Sequence, residues 1–93
     1  MITAIVLVDA EASRIPEVAQ KISDVPAVSE VFSVTGDVDL IALVRVRAHE
    51  ELADVIADHL SKVEGVLRTQ TYIAFKTYSK QDLEAAFSIG LED

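Results

Sequence analysis

The chain has 93 residues, 51% of them hydrophobic, with sixteen acidic side chains against eight basic ones and a net charge of −8. That length suits a single domain spanning residues 1–93, small enough that association would help it bury surface. It has no cysteine, which excludes disulfides, thiol catalysis and cysteine-ligated zinc, and its acidic balance without a basic run argues against direct nucleic-acid binding, where Lys and Arg must neutralise phosphates.

The first apolar run, Ala4 to Val8, is too short to cross a bilayer, and no positive region precedes it. A soluble cytoplasmic protein without membrane contact is therefore expected. Ile2 to Val8 suits a buried strand. Ser13 can cap a helix, and Pro16 in its first turn costs little because that N–H has no intrahelical partner. Ile15, Val18, Ala19 and Ile22 then share one helical face. Pro26 ends this helix, and Val28 to Val34 reads as a second strand. Gly36 followed by Asp37 is a turn signal, since Gly tolerates positive φ and Asp can bond its own backbone. Leu40 to Val46 is a third strand. Leu52, Val55, Ile56, Leu60 and Val63 form a helical stripe, with Glu50, Glu51, Asp54 and Asp58 mostly on its outer side. Gly65 closes that helix. Val66 to Thr77 reads as a long last strand, and Ser79-Lys80-Gln81-Asp82 opens a short C-terminal helix carrying Leu83, Ala86 and Phe87.

The two halves resemble one another. Ile22-Ser23-Asp24-Val25-Pro26-Ala27-Val28 and Leu60-Ser61-Lys62-Val63-Glu64-Gly65-Val66 both read aliphatic-Ser-x-Val-x-x-Val. Each half is strand, helix, strand. Two such halves predict an α+β, ferredoxin-like βαββαβ sandwich: a four-stranded antiparallel sheet with both helices on one face and the first and third strands in its centre. Both faces of those central strands are apolar. Ala4, Val6 and Val8 point one way, Ile5 and Leu7 the other; Leu40, Ala42 and Val44 point one way, Ile41 and Leu43 the other. An apolar sheet face left open by the helices marks an interface, so a sheet-to-sheet dimer is expected.

The segment Val34-Thr35-Gly36-Asp37-Val38-Asp39 places two carboxylates at one hairpin tip. Two readings stay open from the residues: a solvated turn, or a site for a cation such as the ammonium of a small ligand. Thr69 and Thr71 alternate along the last strand and share a side; β-propensity alone also accounts for them. The hairpin, the helix end Val63-Glu64-Gly65-Val66 and Arg68-Thr69-Gln70-Thr71 together resemble the effector-binding (RAM) domain of the Lrp/AsnC transcriptional regulators, over about residues 1 to 79. That resemblance implies a homo-oligomer, dimers assembled into rings of eight or ten chains, binding a free amino acid or similar small effector between dimers. Because the chain begins at the first strand, it also implies a stand-alone member with no DNA-binding domain, for which full-length Lrp/AsnC relatives are candidate partners in transcription regulation. Where the family often carries a Tyr or other large residue, this chain has Val38.

The expected site is Gly36, Asp37, Val38 and Asp39 with Thr69 and Thr71. A carboxylate would take the ligand's ammonium in a charge-assisted bond, and turn amides its carboxylate. No metal or cofactor is expected. Three alternatives share the element order: an ACT-type regulatory module, a ligand-free assembly module, and a small dimeric ferredoxin-like enzyme. The turn Asp9-Ala10-Glu11-Ala12 lacks the Gly expected of an ACT domain. His49 and His59 are not at metal spacing on one helix face, and His59 suits a helix C-terminus, so an enzyme is not expected.

Overall fold

The computed structural model describes residues 1–80, and its elements follow the expected order. They are β1 (Ile2–Ala10), α1 (Ile15–Ser23), β2 (Val28–Ser33), β3 (Leu40–Val46), α2 (His49–Asp54) and β4 (Val66–Ile73). A 3-10 turn, Ala12–Arg14, precedes α1. A π-helical turn, Val55–His59, and a 3-10 turn, Leu60–Lys62, continue α2. The C-terminal helix expected past Lys80 lies outside the described residues.

The strands form one antiparallel sheet in the order β2-β3-β1-β4, which puts β1 and β3 in the centre. Alternation in the central strands decides which face the helices cover. Ala4, Val6, Val8 and Ala10 of β1 and Leu40, Ala42, Val44 and Val46 of β3 are buried, together with Val18 and Ile22 of α1 and Leu52, Val55 and Leu60 of the second helical segment. Fully burying one such aliphatic side chain contributes about 1.5–3 kcal/mol.

The other face is open. Ile5, Leu7, Ile41 and Leu43 are only half-buried, and Phe32 and Tyr72, paired opposite Ile41 and Ile5, remain 43% and 51% exposed. Six large apolar side chains thus line one side of the sheet, and among the described residues no layer covers them.

The two halves close their helices in the same way. The Val28 amide donates to the Val25 carbonyl at 2.9 Å, and 38 residues later the Val66 amide donates to the Val63 carbonyl at 3.1 Å. In the second copy Gly65 takes φ +100°.

Three local expectations change. Ser13 does not cap α1; it lies in the 3-10 turn, and the cap position is Arg14, with no side-chain cap bond. Pro16 has no N–H to reach back to Ala12, so the α ladder cannot extend through Ser13, and the Arg14 amide instead donates to the Glu11 carbonyl at 2.8 Å. The last strand ends at Ile73 rather than Thr77. Its partner runs out there: the Ala74 amide still reaches the Thr3 carbonyl at 2.8 Å, but β1 begins at Ile2. The second helix is not uniformly α, because its middle widens into the π turn.

Candidate functional site

The hairpin between β2 and β3 closes when the Val34 amide donates to the Asp39 carbonyl at 3.1 Å. Gly36 at the tip takes φ +124°, a conformation L side chains rarely adopt, and nothing lies within 4 Å of where its Cβ would be. Glycine here serves the backbone alone.

The two aspartates have different situations. Asp39 is half-buried, and both its backbone and its side chain hold the hairpin to the end of β1. Its amide donates to the Val8 carbonyl at 3.1 Å, and its Oδ2 accepts the Ala10 amide at 2.9 Å. Ala10 is 6% exposed and sits where the β1–β4 register slips between Asp9 and Ala10. A buried amide at a bulge needs an acceptor, and Asp39 supplies one. Asp37 is exposed and, among the described residues, has no hydrogen-bond or ion-pair partner. Val38 between them is half-buried.

Thr69 and Thr71 lie opposite Val8 and Val6 on edge strand β4. They therefore face the helix side of the sheet, are half-buried, and donate no hydrogen bond among the described residues. Leu40, at the foot of the hairpin, pairs with Val8, which pairs with Thr69. Hairpin foot and threonine thus share one row across the sheet, two strand spacings apart, or about 10 Å. Thr69 thus lies in the row of the hairpin foot, while Thr71, opposite Val6 in the middle of β1, lies one pleat further from it, and neither cleft of the helix layer is lined by any of the six residues.

Two neighbouring features escaped the sequence reading. Arg68 clasps Asp9 from the open face, with Nε and Nη2 each 3.0 Å from Oδ2; the Asp9↔Arg68 register would have signalled it, but that register follows from the sheet and not from the sequence. The second feature is a cleft of about 380 Å³ in the helix layer, between α1 and the end of the second helical segment. Among the described residues no group of three or more His, Cys, Asp or Glu side chains is placed to hold a metal, and no helix is long and apolar enough to cross a membrane.

An antiparallel β2-β3-β1-β4 sheet with helices on one face, βαββαβ in order, is the ferredoxin-like α+β fold. Residues 3–83 match the Lrp/AsnC ligand binding domain, and the chain belongs to that family, a ligand-binding domain of transcription regulators. The helix-turn-helix-type transcriptional regulator FL11 of Pyrococcus furiosus is 34% identical over 79 residues, covering 85% of this chain and 52% of the relative. The chain spans about half the length of the curated relatives it matches. Among solved structures, TTHA0845 from Thermus thermophilus superposes with a TM-score of 0.82 at 45% identity, over 86% of this chain and 100% of that one. A feast or famine regulatory protein from M. tuberculosis complexed with L-methionine shares the fold, with a TM-score of 0.73 at 24% identity over 87% of this chain and 55% of the other.

Proposed function

We propose that the chain is an amino-acid-binding and oligomerisation domain that serves transcription regulation in the cytoplasm, without catalysis. The observation that carries this reading is the contrast between the two hairpin aspartates. Asp39 is committed to the Ala10 amide, while the exposed Asp37 carboxylate beside Gly36 has no partner among the described residues and can accept a ligand's ammonium. Turn amides around Gly36 can meet the ligand's carboxylate. Thr69, in the row of the hairpin foot, and Thr71, one pleat further along β4, have hydroxyls that donate no hydrogen bond among the described residues. The site is completed by a second copy, so that ligand and assembly are linked. A structural relative bound to L-methionine supports an amino acid as the effector class. Family membership favours this over an ACT-type module.

The open sheet face supports a sheet-to-sheet dimer, which then assembles into a ring of eight or ten chains. With a net charge of −8 the chain would be repelled by phosphates, so contact with DNA falls to helix-turn-helix relatives that co-assemble with it.

A thermal-shift screen against the twenty free amino acids tests the function. A ligand at one hundred times its Kd stabilises the native state by about 2.7 kcal/mol, which is easily read. If no amino acid raises the melting temperature, the effector reading is wrong.

A further inference from the structure

The cleft in the helix layer is built from two walls. Arg14, Glu17 and Lys21 line one, and Asp58, His59 and Lys62 line the other, with half-buried Val25 and Val63 also lining it as apolar surface. His59 closes the π turn. A volume of about 380 Å³ falls in the range of small-molecule sites, about 300–1,000 Å³.

The charges of the cleft sort into two groups. Arg14 is held by Glu64 at 3.0 Å and Glu11 at 3.4 Å, and Lys62 by Asp58 at 3.6 Å. Glu17, Lys21 and His59 are left with no hydrogen-bond or ion-pair partner among the described residues. Glu17 and Lys21 sit one turn apart on α1, with Cβ atoms about 5–6 Å apart as i, i+4 neighbours, yet they do not pair. The unused set therefore offers an acceptor, a cation and an imidazole beside an apolar surface. Of the unpaired charges, a simple anion would meet Glu17 as well as Lys21, and a simple cation Lys21 as well as Glu17. A molecule carrying an ammonium and a carboxylate on one carbon satisfies both.

We propose that this interhelical cleft is a second ligand site, taking a free α-amino acid with its ammonium on Glu17, its carboxylate on Lys21 and His59, and its side chain against Val25 and Val63. The inference does not rest on the hairpin site; it assigns a separate place, on the opposite layer of the molecule from the open sheet face.

The test uses the intact oligomer with methyl-labelled valines, titrated with each of the twenty free amino acids in turn. At least one of them shifts the methyl resonances of Val25 and Val63. For that amino acid, the N-acetyl and carboxamide derivatives each bind about tenfold more weakly or worse, the loss of one hydrogen bond to a charged group. Lys21→Gln and Glu17→Gln, both at exposed positions of α1, weaken binding to a similar degree while circular dichroism shows the fold retained, and Asp37→Ala leaves the Val25 and Val63 shifts in place. Shifts confined to Val34 and Val38 overturn the cleft site and leave the hairpin reading standing. Shifts confined to Val25 and Val63 support the cleft and count against the hairpin. No shift at either place, or unchanged affinity in both α1 variants, overturns the cleft site.

Discussion

Asp39 Oδ2 accepts the buried Ala10 amide at 2.9 Å, across 29 residues of sequence. The bond ties the base of the hairpin loop, beside β3, to the end of a central strand, so this carboxylate positions the candidate site before any ligand arrives.

Its removal should therefore register in stability. Asp39→Ala leaves the Ala10 amide without an acceptor and should cost about 1–3 kcal/mol. Asp39→Asn keeps an oxygen for that amide and should cost less. Asp37→Ala, at an exposed residue without a partner among the described residues, should stay within about 0.5 kcal/mol of the parent. Chemical denaturation of the three variants at one protein concentration checks this ranking, since unfolding of an oligomer depends on concentration. Equal loss in Asp37→Ala and Asp39→Ala would contradict it.

The two roles show which parts of the site could be read from sequence. The paired apolar runs and the repeated Val-x-x-Val turn carried the fold, because strand order, helix face and both i to i+3 closures follow from local pattern. Alternation also placed Thr69 and Thr71 on one side. It could not say which side, because that phase is set by the Val8↔Thr69 register beside the slip at Asp9 and Ala10, a property of the assembled sheet. Asp39 was equally opaque. Its partner is the amide of a bulged residue on another strand, and nothing adjacent in sequence distinguishes it from Asp37. Ser13 is a good capping residue locally, but Pro16 interrupts the ladder three residues later, so α1 starts at Ile15.

The two glycines with positive φ should respond differently to alanine. At Gly65 a Cβ would lie 2.7 Å from Val18 Cγ2 and 3.3 Å from Arg14 Cδ, with φ +100°. Val18 is fully buried and cannot give easily, so Gly65→Ala combines backbone strain of about 1–3 kcal/mol with overpacking of similar size. At Gly36 only the backbone term applies, because nothing lies within 4 Å. Melting temperatures should fall further for Gly65→Ala than for Gly36→Ala. The reverse order would mean that the hairpin tip is packed against something outside the described residues, such as a second copy.

The open sheet face predicts the behaviour of Leu43→Glu. Leu43 lies on central strand β3 opposite Ile5, amid the half-buried apolar side chains of that face. If two sheets pack there, the change buries an unpaired carboxylate, which costs several kcal/mol and is far more than a dimer of this size can lose unnoticed. Sedimentation at micromolar concentration should show a dimer or larger species for the parent and monomer for Leu43→Glu. An unchanged assembly in the variant would move the interface to another surface.

The hairpin site makes the most direct demand on function. If Asp37 takes the ligand's ammonium, Asp37→Ala should weaken binding of the effector amino acid about ten- to hundredfold, the worth of a hydrogen bond to a charged group. Thr71→Val removes a hydroxyl that faces the helix layer opposite Val6 and should weaken binding less, with stability held or raised because the site beside Val6 is apolar. Asp39→Asn should separate the second carboxylate's scaffold role from any direct ligand contact, since it keeps an acceptor for Ala10. Calorimetry on the three variants gives the affinities, and sedimentation with and without the amino acid gives the assembly. If the site closes between copies, ligand must tighten the oligomer by the same factor by which the oligomer tightens ligand. Should the parent bind an amino acid while all three variants bind it equally well, the site lies away from the hairpin.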